Sequence, residues 1–222
     1  MDEKSMAKLS LLCSLTGLAA IYAAAMQVRP AMTPIASLND EFVGLQVAIS
    51  GQVVDFYEHP DGHLFLKLKD DSGGVVSVPV FSRVRSELGE PIEFLDVVQV
   101  KGEVKLYGGE HEVIPGRAGD LRVVHTAPVK LSGLSRENAD VPVKVQGTIV
   151  EREIVGSGSL LLTLREDSGQ LLVFIPTWVI EDGLPELHVG NVVRVDGWLQ
   201  LYNGELELKL KGASHLQVIE AA

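Results

Sequence analysis

Hydrophobic residues fall along the chain in two patterns. From Leu9 to Val28 it reads LSLLCSLTGLAAIYAAAMQV, 20 residues without a charge, close to the ~20 a helix needs to cross a hydrocarbon core. Beyond residue 43 the apolar positions alternate with polar ones, the period of half-buried strands. Val47, Ile49, Gly51 and Val53 alternate with Gln46, Ala48, Ser50 and Gln52, and Leu64, Leu66 and Leu68 alternate with His63, Phe65, Lys67 and Lys69. A third strand is expected over residues 75–81, a short helical stretch over 82–93, and strands over 97–106 and 110–114. Gly108-Gly109 marks a tight hairpin between the last two.

The pattern occurs twice. GQVV at Gly51 matches GTIV at Gly147, and residues 63–73 match 159–169 at the same offset. With one residue deleted, Val100-Lys-Gly102 falls on Val195-Asp-Gly197. Tyr107-Gly-Gly-Glu110 then falls on Tyr202-Asn-Gly-Glu205, and residues 121–124 fall on 216–219. Five blocks in one order with one gap indicate a tandem duplication. The second unit is expected to have strands over 143–154, 160–165, 171–175, 192–201 and 205–210, with a short segment near Trp178–Leu187. The organisation that follows is a hydrophobic segment (1–29), a Pro-containing linker (30–42), a first unit (43–125), a second linker (126–141) and a second unit (142–220).

Charge and composition narrow the function. Aromatics are only 5% of the chain, so the core must be aliphatic. Residues 40–125 hold 8 bases against 15 acids, and 126–222 hold 8 against 13. A uniformly acidic body argues against strong general nucleic-acid binding, which works through Lys and Arg, though a local basic stripe remains open. The one cysteine, Cys13, permits no intrachain disulfide. Residues 9–28 read either as a retained membrane anchor or as an export signal cleaved near Ala23-Ala24-Ala25. The weak positive bias of Lys4 and Lys8 places the units outside.

The pattern G-x-V, then L-x-L-x-D-x-S-G, then V-x-V-x-G-x-V-x-x-Y-x-G-x-x-E resembles the OB-fold family of nucleic-acid-binding modules. Its members include tRNA-anticodon-binding domains, helicase wedge domains and replication protein A subunits. The resemblance covers residues 43–124 and 143–219. It implies an all-β protein of two tandem five-stranded Greek-key barrels, each with a short helix between strands 3 and 4, behind one amino-terminal hydrophobic helix. Such barrels bind through the strand 2–3 face and the loops joining strands 1–2 and 4–5.

In the first unit these positions hold Phe56, Tyr57, His63, Phe65, Lys67 and Lys69, then Phe81, Arg83 and Arg85, then Lys105 and Tyr107. Rings on which bases stack, interleaved with cations, are what single-stranded DNA or RNA requires. The bland alternative is a solvated strand face with Phe65 packed on the neighbouring barrel. In the second unit the corresponding face is Ser159, Leu161, Thr163 and Arg165, so that unit is expected to be structural or to bind protein. The matched Tyr107 and Tyr202 suggest barrel packing. Trp178 and Trp198 suggest core or interface packing. His59 and His63 flank a Pro-Asp-Gly turn, and Asp70-Asp71 and Glu166-Asp167 read as turn residues. No phosphate loop, nucleophile elbow or H-E-x-x-H is present, so a non-catalytic binding protein without metal or cofactor is expected. A protein- or glycan-binding scaffold outside the membrane is the alternative.

Overall fold

The computed structural model describes residues 10–20, 22 and 31–222. Residues 10–20 form helix α1, whose side chains are exposed. No described helix is long and apolar enough to cross a membrane. Of the span 9–28, residues 9, 21 and 23–28 lie outside the described residues.

Two six-stranded sheets follow. In the first, β1 (Gln46–Glu58), β2 (Leu64–Lys69), β3 (Val75–Val80), β4 (Val97–Tyr107), β5 (Glu110–Ile114) and β6 (Leu121–Val124) pair in the order β1-β2-β3-β5-β4-β6, with β4 also on β1. In the second, β7 (Pro142–Val155), β8 (Ser159–Glu166), β9 (Gly169–Ile175), β10 (Val192–Tyr202), β11 (Glu205–Lys209) and β12 (Leu216–Glu220) repeat that order. The ring 1-2-3-5-4-1 is the strand order of an OB barrel. The second ring closes over three paired positions between β9 and β11, the first over the single pair Ser77↔Glu112. A sixth strand on β4 and on β10 lies outside the expected five.

Each first strand serves two neighbours by bending. Gln46–Gln52 pairs with β4, and Gln52–Glu58 pairs with β2. A Cβ on Gly51 would sit 2.9 Å from the Lys69 carbonyl, so the bend admits only glycine. The register slips between Val53 and Asp55, a bulge that lets pairing resume and carries β1 through Phe56 and Tyr57. These two residues are therefore in a strand, where the first loop was expected. Both cores are aliphatic, built from inward Val, Leu and Ile.

The helical stretches are shorter than the sequence suggests: α2 is Ser82–Ser86 and α3 is Thr177–Glu181. Gly89 and Pro91, and in the second unit Gly183 and Pro185, end them. The segments read as linkers fold onto the barrels. Ile35 and Leu131 each enter a 3-10 turn and join their own barrel's core. Ile35 N–H donates to Asp70 (2.8 Å), and Leu131 N–H donates to Glu166 (2.9 Å). The turn carboxylates thus hold the entering chain. Burial works against the charge on Asp70, but hydrogen bonds from Ser72 and the Ile35 N–H keep its pKa below the ordinary value. The two-glycine hairpin is as expected, with Gly108 and Gly109 at φ 59 and 87°.

Candidate functional site

The outward positions of the first barrel form rows across strands. Tyr57 on β1 stands opposite Phe65 on β2, which stands opposite Pro79 on β3. Near Pro79 β3 has no ladder partner on its other side, so its missing N–H costs nothing there. Tyr57 and Phe65 stack at 6.4 Å between centroids, and His59 meets both rings edge-on. His63 stacks on His59 at 5.9 Å and touches the Phe81 ring at 5.5 Å. The Ser82 N–H donates to His63 Nδ1 at 2.9 Å, which ties the β1–β2 loop to the start of α2. Five rings thus make one surface patch, in which Tyr57 is 58% exposed.

The next row runs Asp55, Lys67, Ser77, Glu112, Lys105 across all five strands. Cations and carboxylates alternate along it. Burial, with the charge of Glu110, pushes the Glu112 carboxyl above its usual range. Lys105 lies 3.9 Å from Glu103, and Arg85 donates to Glu58 at 2.6 Å. Lys67, Lys69 and Arg83 are exposed and in no ion pair among the described residues.

The structure brings together Tyr57, His63, Phe65 and Phe81, with Lys67, Arg83 and Arg85 on the same strands and helix. Phe56 points the other way and packs on His215 of the second barrel at 5.1 Å. Tyr107 stands exposed on the 4–5 hairpin and in no ring pair of the patch, and Tyr202 is equally exposed, so neither packs in a barrel. His59, expected in the first loop beside Phe56 and Tyr57, joins the patch. The bulge that carries β1 past Val53 is what places it there.

The same register in the second barrel puts Glu153 at Tyr57, Ser159 at His63, Leu161 at Phe65, Pro176 at Phe81 and Trp178 at Arg83. No ring stack forms there among the described residues. Trp198 carries Lys211 over its ring at 4.8 Å.

A second cluster joins the barrels. Lys144, its side chain 1% exposed, donates to Glu93 at 2.7 Å and to Asp96 at 3.1 Å. Gln217 donates to Glu93 at 3.2 Å. His215 bonds Asp196 and lies against Phe56 and Phe94. Glu93, Asp96 and His125 offer ligand atoms within 4.8 Å of one another, the spacing of a metal site. The Lys144 ammonium already supplies the positive charge that the carboxylates need. Burial works against a charged His125, but Glu90 and Asp96, each at 2.8 Å, outweigh it and hold its pKa above the ordinary value. Burial likewise pushes the Asp196 carboxyl up, against the pull of His215 and Lys144.

No family model matches the chain, and no curated protein matches it. Similar solved structures include asparaginyl-tRNA synthetase from Pyrococcus horikoshii complexed with asparaginyl-adenylate. That likeness is 19% identical, covers 44% of this chain and 23% of the synthetase, and has a TM-score of 0.37. The OBody AM1L10 bound to hen egg-white lysozyme is 24% identical over 45% of this chain and 100% of its own, at 0.35. The tetrameric p202 HIN2 is 11% identical over 78% of this chain and 93% of its own, at 0.45. The chain spans less than a quarter of the synthetase's length. The fold rests on the strand order, not on these likenesses.

Proposed function

We propose that the chain is a non-catalytic binding protein that takes single-stranded nucleic acid across the first barrel. The five-ring patch of Tyr57, His59, His63, Phe65 and Phe81 carries the reading. Rings exposed together on the strand 2–3 face give successive bases stacking platforms, whatever their sequence. Lys67, Lys69 and Arg83 lie beside them for the backbone phosphates. Asp55, Glu58 and Glu112 interrupt the cations, so affinity comes from stacking more than from phosphate contacts. Residues 9–28 tether the protein to a membrane, or serve as a cleaved export signal. The second barrel holds the first in place or meets a protein.

Those interleaved carboxylates favour a second reading, a protein- or glycan-binding scaffold outside the membrane. Anisotropy of a fluorescent oligonucleotide with the full chain, at low and moderate salt, separates the two. Nucleic-acid binding predicts saturation at low salt and a measurable loss as salt rises. Absence of binding at low salt refutes it in favour of the scaffold.

A further inference from the structure

The repeat supplies a reference for every surface of the molecule, because each barrel shows what the other's equivalent face does. The end of the first barrel made by Phe56, Glu93, Phe94 and Asp96 is covered by the second barrel. One repeat later the same positions are Arg152, His188, Val189 and Asn191. The match is exact in the backbone: Asp96 accepts from the Glu93 N–H as Asn191 does from the His188 N–H. Leu95 and Gly190, between them, share positive φ. Yet Phe94 is 3% exposed and Val189 is 56% exposed.

This uncovered end is shaped and partly apolar, with Arg152, Glu186 and His188 among its lining. Ile180, Leu184, Leu187 and Val189 line a groove of about 570 Å³. Ile154, opposite the groove-lining Leu160, and Trp178, on the helix that carries Ile180, are exposed large apolar side chains at its margin. Exposed acids, Glu181, Asp182 and Glu186, lie along the same segment.

The covering face has an equivalent too. The second barrel covers the first with Lys144, Arg194, Asp196, His215 and Gln217. At those positions the first barrel has Ala48, Gln99, Lys101, Asp120 and Arg122. Gln99, Lys101 and Arg122 are exposed, and the charged pair among them is basic. Lys101 and Arg122 on the covering face complement Glu181, Asp182 and Glu186 on the groove's edge, as Asp120 complements Arg152 in its lining.

We propose that a second copy of this chain seats its first barrel on the groove of the second barrel, repeating between molecules the contact that joins the two barrels within one. Such a contact is heterologous, so it closes into a ring or runs on as a filament. Ala48 and Asn191 replace Lys144 and Asp96, while Arg152 and Asp120 replace the Phe56–His215 pair, so the contact rests on opposite charges facing each other beside the apolar part of the groove. A solenoid-like array without a polar terminal cap behaves in this way.

Sedimentation velocity of the full chain, over a concentration series at low and high salt, tests this. The expected result is a mass that rises above the monomer with concentration and falls back with salt. Val189→Asp, an exposed change that spares the core, should weaken association roughly tenfold. Lys101→Glu and Glu186→Lys should each weaken it alone, and the two variants mixed should associate again. A monomer at every concentration in low salt overturns the proposal. So does association that none of the three substitutions alters, which would place the contact elsewhere, as in residues 9–28.

Discussion

Tyr57, Phe65 and Phe81 of the first barrel stand where the second has Glu153, Leu161 and Pro176, while the inward residues beneath them are interchangeable. Leu64, Leu66 and Leu68 answer to Leu160, Leu162 and Leu164, all buried. Inward positions are held by the need to fill a barrel, since core volume changes are felt at the scale of one methylene. Outward positions carry no such constraint, so after a duplication they are where the copies separate. One copy gathered rings on its strand 2–3 face, and the other gathered apolar groups at its end. The seam follows the same division. The first barrel's β3–β5 side is held by one pair, and the second's by three. The barrel with the aromatic face is therefore the less completely closed.

The comparison breaks first at the junction. Lys144→Ala removes the buried cation that Glu93 and Asp96 share and leaves them only Arg194 and His125, and a broken buried pair costs about 3–5 kcal/mol. Urea unfolding should show this as an early transition in which the barrels separate. Replacing the set together, Lys144→Met with Glu93→Gln and Asp96→Asn, should cost far less, because the cations that lose a partner, Arg194 and His125, are partly exposed. If the single and triple variants match, the junction is not ionic.

The entry turns test what the copies still share. A Cβ on Gly74 would lie 2.3 Å from the Ala36 nitrogen, and one on Gly169 would lie 2.4 Å from that of Ser132. Gly74→Ala and Gly169→Ala should each cost about 1–3 kcal/mol in their own barrel. A neutral result in either would show that the entering chain is not bound there.

The smallest effect is pH-dependent and confined to the first barrel's side of the junction. The raised pKa of His125 means that its contacts with Glu90 and Asp96 contribute fully below the ordinary histidine value. They are lost as pH rises through the folded value. The stability difference between wild type and His125→Gln should therefore shrink as pH rises above the ordinary histidine value. A difference that grows with pH would contradict the assignment. His125 is 38% exposed, so the effect is small.

The strand plan was legible because its signals are local: a period of two, a Gly-Gly hairpin and the D-S-G turn all report within a few residues. Strand length was less so. The bulge at Val54 resets the alternation, and Tyr57 and His59 then read as loop. Segments 31–42 and 126–141 carry prolines and small polar residues, the composition of linkers. What makes them part of the barrels is a single side chain each, Ile35 and Leu131, and a carboxylate far along the chain. The junction was illegible altogether. Lys144 sits between Val143 and Val145 as any solvent-facing strand lysine would, and only the distant loop of Glu93 and Asp96 buries it. The aromatic face stood between these cases. Phe65, Lys67 and Lys69 were readable from alternation, but the ring cluster that selects Tyr57 and His59, and turns Phe56 away, needed the register between strands.

If the first barrel binds single strands and its copy does not, paired substitutions at the matched position separate the two most directly. Binding of a fluorescent single-stranded oligonucleotide at low salt should weaken by about 1–3 kcal/mol in Phe65→Ala. In Leu161→Ala it should stay as in the wild type. Equal affinity in wild type and Phe65→Ala, or a larger loss in Leu161→Ala, would contradict the account.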